Sequence, residues 1–258
     1  MAFGSVFSKF KEFNATTADG KSITFKNNFI TKIGFLILGV PHIGMRLRAR
    51  KIVKNFPERV KIMLDAGCGT GIYSFALAEK VDNINSVDLS SEKISDARKI
   101  NIFNNIDFSE GDLCKLNFEK NHFEVVICSD VLEHIKNDEK AFSELSRVLK
   151  SGGTLLLTVP YDSEENRKTY KKYEHERAGY KKEYFESLCK KDNLAIKSLE
   201  GYSYPVADKI SNFSYRLIDK KIFLGLLFYP LYFLSIVADY FHKGKSEPNG
   251  IFLKFVKN

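Results

Sequence analysis

The sequence predicts an α/β protein built on a doubly wound, mostly parallel sheet. Between residues 60 and 160, apolar runs of strand length alternate with amphipathic stretches of helix length. Short turns rich in Gly, Ser, Asn and Asp separate them, which makes parallel strands with helical crossovers the simplest arrangement. The run FEVVICSD at 123–130 is apolar almost throughout, the pattern of a strand covered on both faces.

In chain order, VKIMLDAG (60–67) is a strand that ends in glycine and feeds a helix at 71–80. NINSVDLS (83–90) is a second strand, with Ser90 and Ser91 placed to cap the next helix. That helix, 91–101, sets Ile94, Ala97 and Ile100 along one face. IDFSEGD (106–112) is a third strand with its turn, and 123–130 follows it. Residues 138–149 form an amphipathic helix through Ala141, Phe142, Leu145, Val148 and Leu149. Ser151, Gly152 and Gly153 then turn the chain into the strand TLLLTVP (154–160). Beyond 160 the rhythm changes. Residues 161–183 are polar and dense in Tyr, Lys and Glu, ahead of a helix near 181–191 and a strand near 194–200. Residues 206–246 read as helical and very apolar, and GIFLKFVKN (250–258) closes the chain as a last strand.

A chain of 258 residues holds one large α/β domain or two small ones. The four cysteines (Cys68, Cys114, Cys128, Cys189) form no CxxC pair and no metal-ligand spacing. They read as reduced thiols of an intracellular protein, and no metal site is expected. No leader of basic, apolar and small-residue regions is evident. The net charge of +8 is unevenly spread. Residues 1–60 hold eleven Lys/Arg against three Asp/Glu, residues 61–160 eleven against sixteen, and residues 161–258 eighteen against thirteen. Basic flanks around an acidic middle suit a nucleic-acid enzyme or a protein resting on an anionic membrane.

The stretch LDAGCGTG (64–71) carries the chemistry. A glycine turn between strand and helix lets a ligand approach backbone N–H groups at a helix start. The dinucleotide fingerprint G-x-G-x-x-G needs a third glycine where Ile72 stands, and a Walker loop needs a lysine that is missing. Asp65, at the strand end, would repel a phosphate and suits a ligand with a positive amine.

The motif DAGCGTG resembles the first motif of class I S-adenosylmethionine (SAM) dependent methyltransferases of the small-molecule and lipid type. Other stretches resemble the same family at its spacings: SVDLS (86–90), GDL (111–113), CSDVLEHI (128–135) and LKSGGTLLLTVP (149–160). The resemblance covers roughly residues 60–160. It implies a Rossmann-like sheet of seven strands, with N-terminal helices and a helical apolar insert before the last strand. It implies SAM as cofactor, held by Asp65, Gly67, Cys68, Gly69, Gly71, Asp88, Leu89, Asp112, Leu113 and Ser129. In that scheme Asp88 accepts from both ribose hydroxyls, Leu89 packs on adenine, Asp112 takes the adenine amine and the Leu113 N–H reaches the ring. The corresponding organisation is a helical cap over 1–56, a SAM-binding core over 57–205, an apolar insert over 206–247 and a final core strand over 248–258.

The family moves a methyl group from a sulfonium to a nucleophile, and much of that rate comes from positioning. A base is needed only where the acceptor must lose a proton. His134, just past the fourth strand of the family scheme, is one candidate, with packing beneath the cofactor as its plainer role. YEHERAGY (173–180) offers His175 as a second candidate base, and Arg177 and Tyr180 as acceptor-binding residues. A solvated charged helix is the alternative for that stretch. SDVL (129–132) is not the [DNS]-P-P-[YFW] segment of base-amine methyltransferases, and no Pro-Cys pair occurs, so nucleic acid is the weaker acceptor class.

Three apolar segments adjoin basic residues: 1–13, 33–51 and 222–238. Phe3, Phe7 and Phe10 fall at helical spacing, and IFLGLLFYPLYFLSIVA (222–238) runs without a charge but is short of a span and contains Pro230. Such faces suit helices lying in a bilayer interface; a lid or dimer surface is the other use for them. The reading is a cytoplasmic methyltransferase, peripheral on the inner face of the membrane, acting on a small or lipid-linked acceptor. The alternatives are an RNA methyltransferase and a non-catalytic SAM-fold module.

Overall fold

The computed structural model describes residues 43–205 and 246–258, the segments 12–16 and 22–26, and single helical positions at 209, 234, 237, 240 and 241. The chain groups into two units: residues 1–53 with 201–251, and residues 54–200 with 252–258.

In the first unit, β1 (Glu12–Thr16) and β2 (Ser22–Lys26) form an antiparallel pair with Phe13 opposite Phe25 and Ala15 opposite Ile23. The expectation of a wholly helical cap over 1–56 is corrected here. The segments EFNAT and SITFK alternate apolar and polar residues with period two, and Asp19-Gly20 lies between them in sequence, the combination that favours a hairpin. Helix α1 (Ile43–Asn55) follows, with Met45, Leu47, Ala49 and Ile52 buried. The helical spacing at Phe3–Phe10 and nearly all of 222–238 lie outside the described residues. Among the described residues no helix is long and apolar enough to cross a membrane.

The second unit carries most of the seven-stranded sheet: β3 (Val60–Ala66), β4 (Val81–Asp88), β5 (Ile106–Glu110), β6 (Phe123–Ser129), β7 (Leu149–Pro160), β8 (Leu194–Tyr202) and β9 (Gly250–Lys257). Their spatial order is β5-β4-β3-β6-β7-β9-β8. The pairs β5–β4, β4–β3, β3–β6 and β6–β7 are all parallel, so the mostly parallel, doubly wound sheet holds. The crossovers are α2 (Ile72–Leu77), α3 (Ser91–Ile100) and α4 (Asp138–Val148); α5 (Glu164–Thr169) and α6 (Lys182–Asp192) come after β7. Ser90 and Asn137 start α3 and α4 by accepting the amides of Lys93 and Lys140, as side-chain caps do. β7 begins at Leu149 rather than 154: Leu149 pairs with Phe123 and Thr154 with Val125, and the residues between them, with Gly152 at φ +75°, bulge out of the ladder.

Apolar burial fixes this frame. Phe75 packs on Phe108 at 5.5 Å, and Phe142, Phe185 and Phe255 form a fully buried ring cluster with centroids 5.4–5.9 Å apart. At the far end of β9 the Lys257 ammonium donates to the carbonyls of Ser146 and Leu149, each at 2.8 Å, tying the last strand to the α4–β7 junction.

The chain winds outward from β3 to β5, then returns to β6 on the other side of β3. Ligands of open α/β sheets bind at the carboxyl ends of the strands where the order reverses in this way. Ala66 pairs with both Val87 and Cys128, Asp88 with Glu110, and Ser129 with Thr158. The loops after β3, β4, β5 and β6 therefore leave the sheet along one edge.

Candidate functional site

The glycine loop is shaped by its backbone. Gly67, at φ +75°, accepts no side chain without strain, and a Cβ there would overlap Val131 Cγ2 from the loop after β6. The amides of Gly67 and Cys68 both donate to the Val87 carbonyl, at 2.7 and 2.9 Å. Gly69, at φ +54°, is bare on its outer side: a Cβ would meet nothing within 4 Å. Gly71 caps the start of α2 in left-handed conformation.

Two carboxylates hold this loop. Asp65 is 1% exposed, and its Oδ2 accepts both the Ser74 amide at 3.1 Å and the Ser74 hydroxyl at 2.6 Å. Burial pushes its pKa up to about 6, against the opposing pull of Ser74. The Ser74 hydroxyl also pairs with Ser86 at 2.7 Å, joining α2 to β4. Asp88 takes the Gly69 amide on Oδ2 at 2.8 Å and the Ser90 amide on Oδ1 at 2.9 Å. One side chain thus fixes both the glycine loop and the turn after β4.

The neighbouring positions differ in character. Leu89 is 72% exposed at this edge, an apolar side chain held in the open. Asp112 is exposed and folds its own turn by accepting the Cys114 amide at 2.8 Å, while Leu113 is buried. Cys68 is buried, and burial pushes its thiol well up, so it stays protonated. The Ser129 hydroxyl pairs with Tyr73 at 3.1 Å and Thr158 at 2.8 Å, and Thr158 donates to Asp130 at 3.0 Å. Asp130 has φ +52°, a conformation uncommon outside glycine, and it leads into the 3₁₀ turn Leu132–His134.

That turn brings together the two candidate bases, which are 41 residues apart in sequence. His134 and His175 meet edge to face at 4.5 Å between centroids. The Nδ1 of His134 lies 3.3 Å from the Glu174 carbonyl. Burial lowers the pKa of His134, and burial followed by the neighbouring His134 lowers that of His175 to about 4.

Arg177 and Tyr180 are brought together elsewhere, on a residue the sequence pattern does not single out. Asp138, 3% exposed at the start of α4, pairs with Arg177 at 2.9 Å and accepts from the hydroxyls of Tyr180 at 2.9 Å and Tyr184 at 2.8 Å. The Arg177 guanidinium lies 5.5 Å from the centre of the Tyr180 ring. Burial and Asp138 push both tyrosine hydroxyls upward. In sequence Asp138 reads only as an acidic residue in a helix first turn; nothing local announces its three side-chain partners. Tyr73, Thr158, Asp130 and Val131 are the other residues of this edge that motif reading passes over.

A seven-stranded, doubly wound sheet with a bare glycine loop and an acidic residue at the end of the next strand defines a nucleoside-type cofactor fold. The family model described as a methyltransferase domain matches residues 64–157, the segment that builds this edge. The sterol 24-C-methyltransferase of Saccharomyces cerevisiae is 33% identical over 129 residues, covering 46% of this chain and 33% of that protein. The ubiquinone biosynthesis O-methyltransferase of Coxiella burnetii is 28% identical over 121 residues, covering 46% of this chain and 51% of that protein. The structure of Haemonchus contortus phosphoethanolamine N-methyltransferase 2 in complex with SAM superposes with a TM-score of 0.60 at 20% identity, over 92% of this chain and 62% of that one. The chain spans about half or less of the length of the curated relatives it matches. Residues 64–157 are thus similar in sequence to the methyltransferase domain, and the chain shares the fold of a SAM-binding methyltransferase.

The residues present fit that cofactor on two counts. Open space stands over Gly69, where a side chain would intrude. Each Asp88 oxygen accepts a single amide, and a carboxylate has about four acceptor positions, so two remain for a pair of hydroxyls.

Proposed function

We propose that this protein transfers the methyl group of SAM to a small or lipid-linked acceptor at a membrane surface. The observation that carries the reading is the Asp88–Gly69 junction: an acidic residue with spare acceptor capacity, fastened to a bare glycine loop, within a segment that matches the methyltransferase domain. When bound, SAM supplies an electrophilic methyl group on sulfur.

In this reading the loop Gly67, Cys68, Gly69 and Gly71 receives the amino-acid part of the cofactor. Asp65 keeps that loop in place through Ser74. Asp88 accepts from the two ribose hydroxyls. Leu89 covers one face of the adenine, with Asp112 and Leu113 at its edge. Ser129, fixed by Tyr73 and Thr158, bounds the site on the β6 side. Orientation by these groups supplies most of the acceleration expected of such a displacement. Where the acceptor must lose a proton, His134 or His175 is the candidate base. Arg177 and Tyr180 shape the acceptor wall through Asp138.

The acceptor class is supported by two relatives whose names specify a sterol and ubiquinone biosynthesis, and by the basic, apolar flanks at 1–13, 33–51 and 222–238. The test supplies purified protein with methyl-labelled SAM and separate lipid, RNA and polar fractions of its host. Label in the lipid fraction is the expected result. Label in RNA alone would replace this reading with the nucleic-acid one, and no label with SAM still bound would favour a non-catalytic module.

A further inference from the structure

We infer that Glu133, His134 and His175 form a binding site for a divalent transition cation of the zinc type, on the acceptor side of the sheet edge. Each residue offers a ligand atom, and these atoms all lie within 4.8 Å of one another. A tetrahedral zinc ion with bonds near 2.1 Å holds its donor atoms roughly 3.4 Å apart. Closing on an ion therefore asks the donor atoms to approach by at most about 1.4 Å. Two imidazoles and one carboxylate match borderline divalent metals and leave coordination positions open for an exogenous oxygen.

Two further observations point the same way. The first is the orientation of His134. Its Nδ1 faces the Glu174 carbonyl at 3.3 Å. Donation to that carbonyl leaves Nε2 unprotonated with its lone pair available, and metal-binding histidines are held in this manner by a partner on the other ring nitrogen. The second is the way the two chain segments are fastened together. The Glu176 amide donates to the Glu133 carbonyl at 2.8 Å, and the His175 amide to the Tyr170 carbonyl at 3.2 Å. A few residues on, Arg177 pairs with the buried Asp138. The ligand set is thus pre-assembled from residues 41 positions apart, with the carboxylate buried, one histidine half-buried and the other exposed. Solvent reaches the site on the His134 side, and the buried carboxylate closes it from beneath.

The chemical class of the further ligand is an oxygen donor, such as an acceptor hydroxyl. A cation bound there would lower the pKa of that hydroxyl, so that its proton passes to solvent and the oxygen becomes the nucleophile, with His134 and His175 then acting as ligands in place of bases. This use of the cation rests on the methyl-transfer reading, whereas the binding of the cation does not.

The experiment is calorimetric titration of the chelator-treated full chain with Zn2+, repeated for His175→Ala and Glu133→Gln, with Co2+ as an absorbing substitute. SAM binding by each variant reports that the fold is intact. The expected result is one Zn2+ per chain, weakened at least about tenfold by either substitution, with cobalt absorption of a low-coordinate site that changes in both variants. A chain that binds no Zn2+, or variants that bind it as tightly as the parent, would overturn the site. If Zn2+ binds as described and no acceptor is methylated, the proposed function falls and the metal site stands. If methylation proceeds without Zn2+ binding, the metal site alone falls.

Discussion

The Asp88 carboxylate grips the Gly69 amide at 2.8 Å across the junction of β3 and β4. The same side chain takes the Ser90 amide, so the group assigned to the ribose also sets the loop assigned to the methionine. Asp88→Ala should therefore do two things at once: remove the ribose acceptor and loosen the glycine loop. Hydrogen bonds to a charged group contribute about 1.5–3 kcal/mol each, so SAM affinity should fall by at least about tenfold. Asp88→Asn, which keeps an acceptor oxygen, should fall less. Calorimetry checks both, and equal affinity in all three proteins would remove Asp88 from the cofactor site.

Gly67→Ala is expected to be costly for two separable reasons. The backbone there has φ +75°, and the new Cβ would overlap Val131. A non-glycine residue in left-handed conformation costs about 1–2 kcal/mol, and the steric overlap adds to that. Adding Val131→Ala should recover the steric part and leave the backbone part. Thermal unfolding of the two single variants and the double variant measures the coupling. Strict additivity would show that the loop after β6 does not restrain the glycine loop.

Asp65 gives the protein a pH dependence of known sign. Its folded pKa is raised to about 6, because burial disfavours the charged form more than Ser74 favours it. Between the ordinary carboxylate pKa and about 6 the folded chain holds a proton that the unfolded chain has released. Stability from this group is full below that window and falls as pH rises through it. A shift of about two units corresponds to roughly 3 kcal/mol. The difference in melting temperature between parent and Asp65→Asn should change across this window and be flat above it. A difference that is constant with pH would refute the assignment.

These residues were unequally visible in the sequence, for physical reasons. Gly67 and Gly69 show themselves because positive φ and bare space leave the chain little alternative. Asp88 shows itself because it ends a strand one crossover after the glycine loop. The meeting of His134 with His175, and the convergence on Asp138, depend on how residues 170–184 return over the sheet edge, and no local period encodes that return. The β1–β2 hairpin is a different case. Its alternation and Asp19-Gly20 are in the sequence, beside a helical phenylalanine spacing that argued for helix. At β7, Gly152 and Gly153 suggest a turn, whereas they form a bulge between Leu149 and Thr154, both of which pair with β6.

The segment 222–238 places seventeen residues without a charge behind Lys220 and Lys221. If it docks on bilayers, the triple substitution of Leu226, Leu227 and Phe228 by Ser should abolish flotation with anionic liposomes. High salt should weaken flotation of the parent, since the basic flanks are screened. Flotation that persists in the triple variant would assign the membrane contact to other residues.

Asp138 fastens the wall proposed for the acceptor. Its carboxylate gathers Arg177, Tyr180 and Tyr184, three groups that leave the chain just after His175. Removing a buried partner leaves the others unsatisfied, at about 1–3 kcal/mol for each neutral group and more for a charge. Asp138→Asn keeps the volume and removes the charge, so Arg177 loses its counter-ion and the segment around 175 loosens. The residues proposed for the cofactor lie on or just after β3, β4 and β5, with Ser129 at the end of β6, and do not share this contact. SAM affinity should therefore stay within about twofold while KM for the acceptor rises severalfold. Tyr184→Phe, which deletes one hydroxyl and leaves two partners, should show the same pattern more weakly. If Asp138→Asn instead weakens SAM binding and acceptor use alike, the clamp stabilises the whole edge and Asp138 is no positioning residue for the acceptor wall.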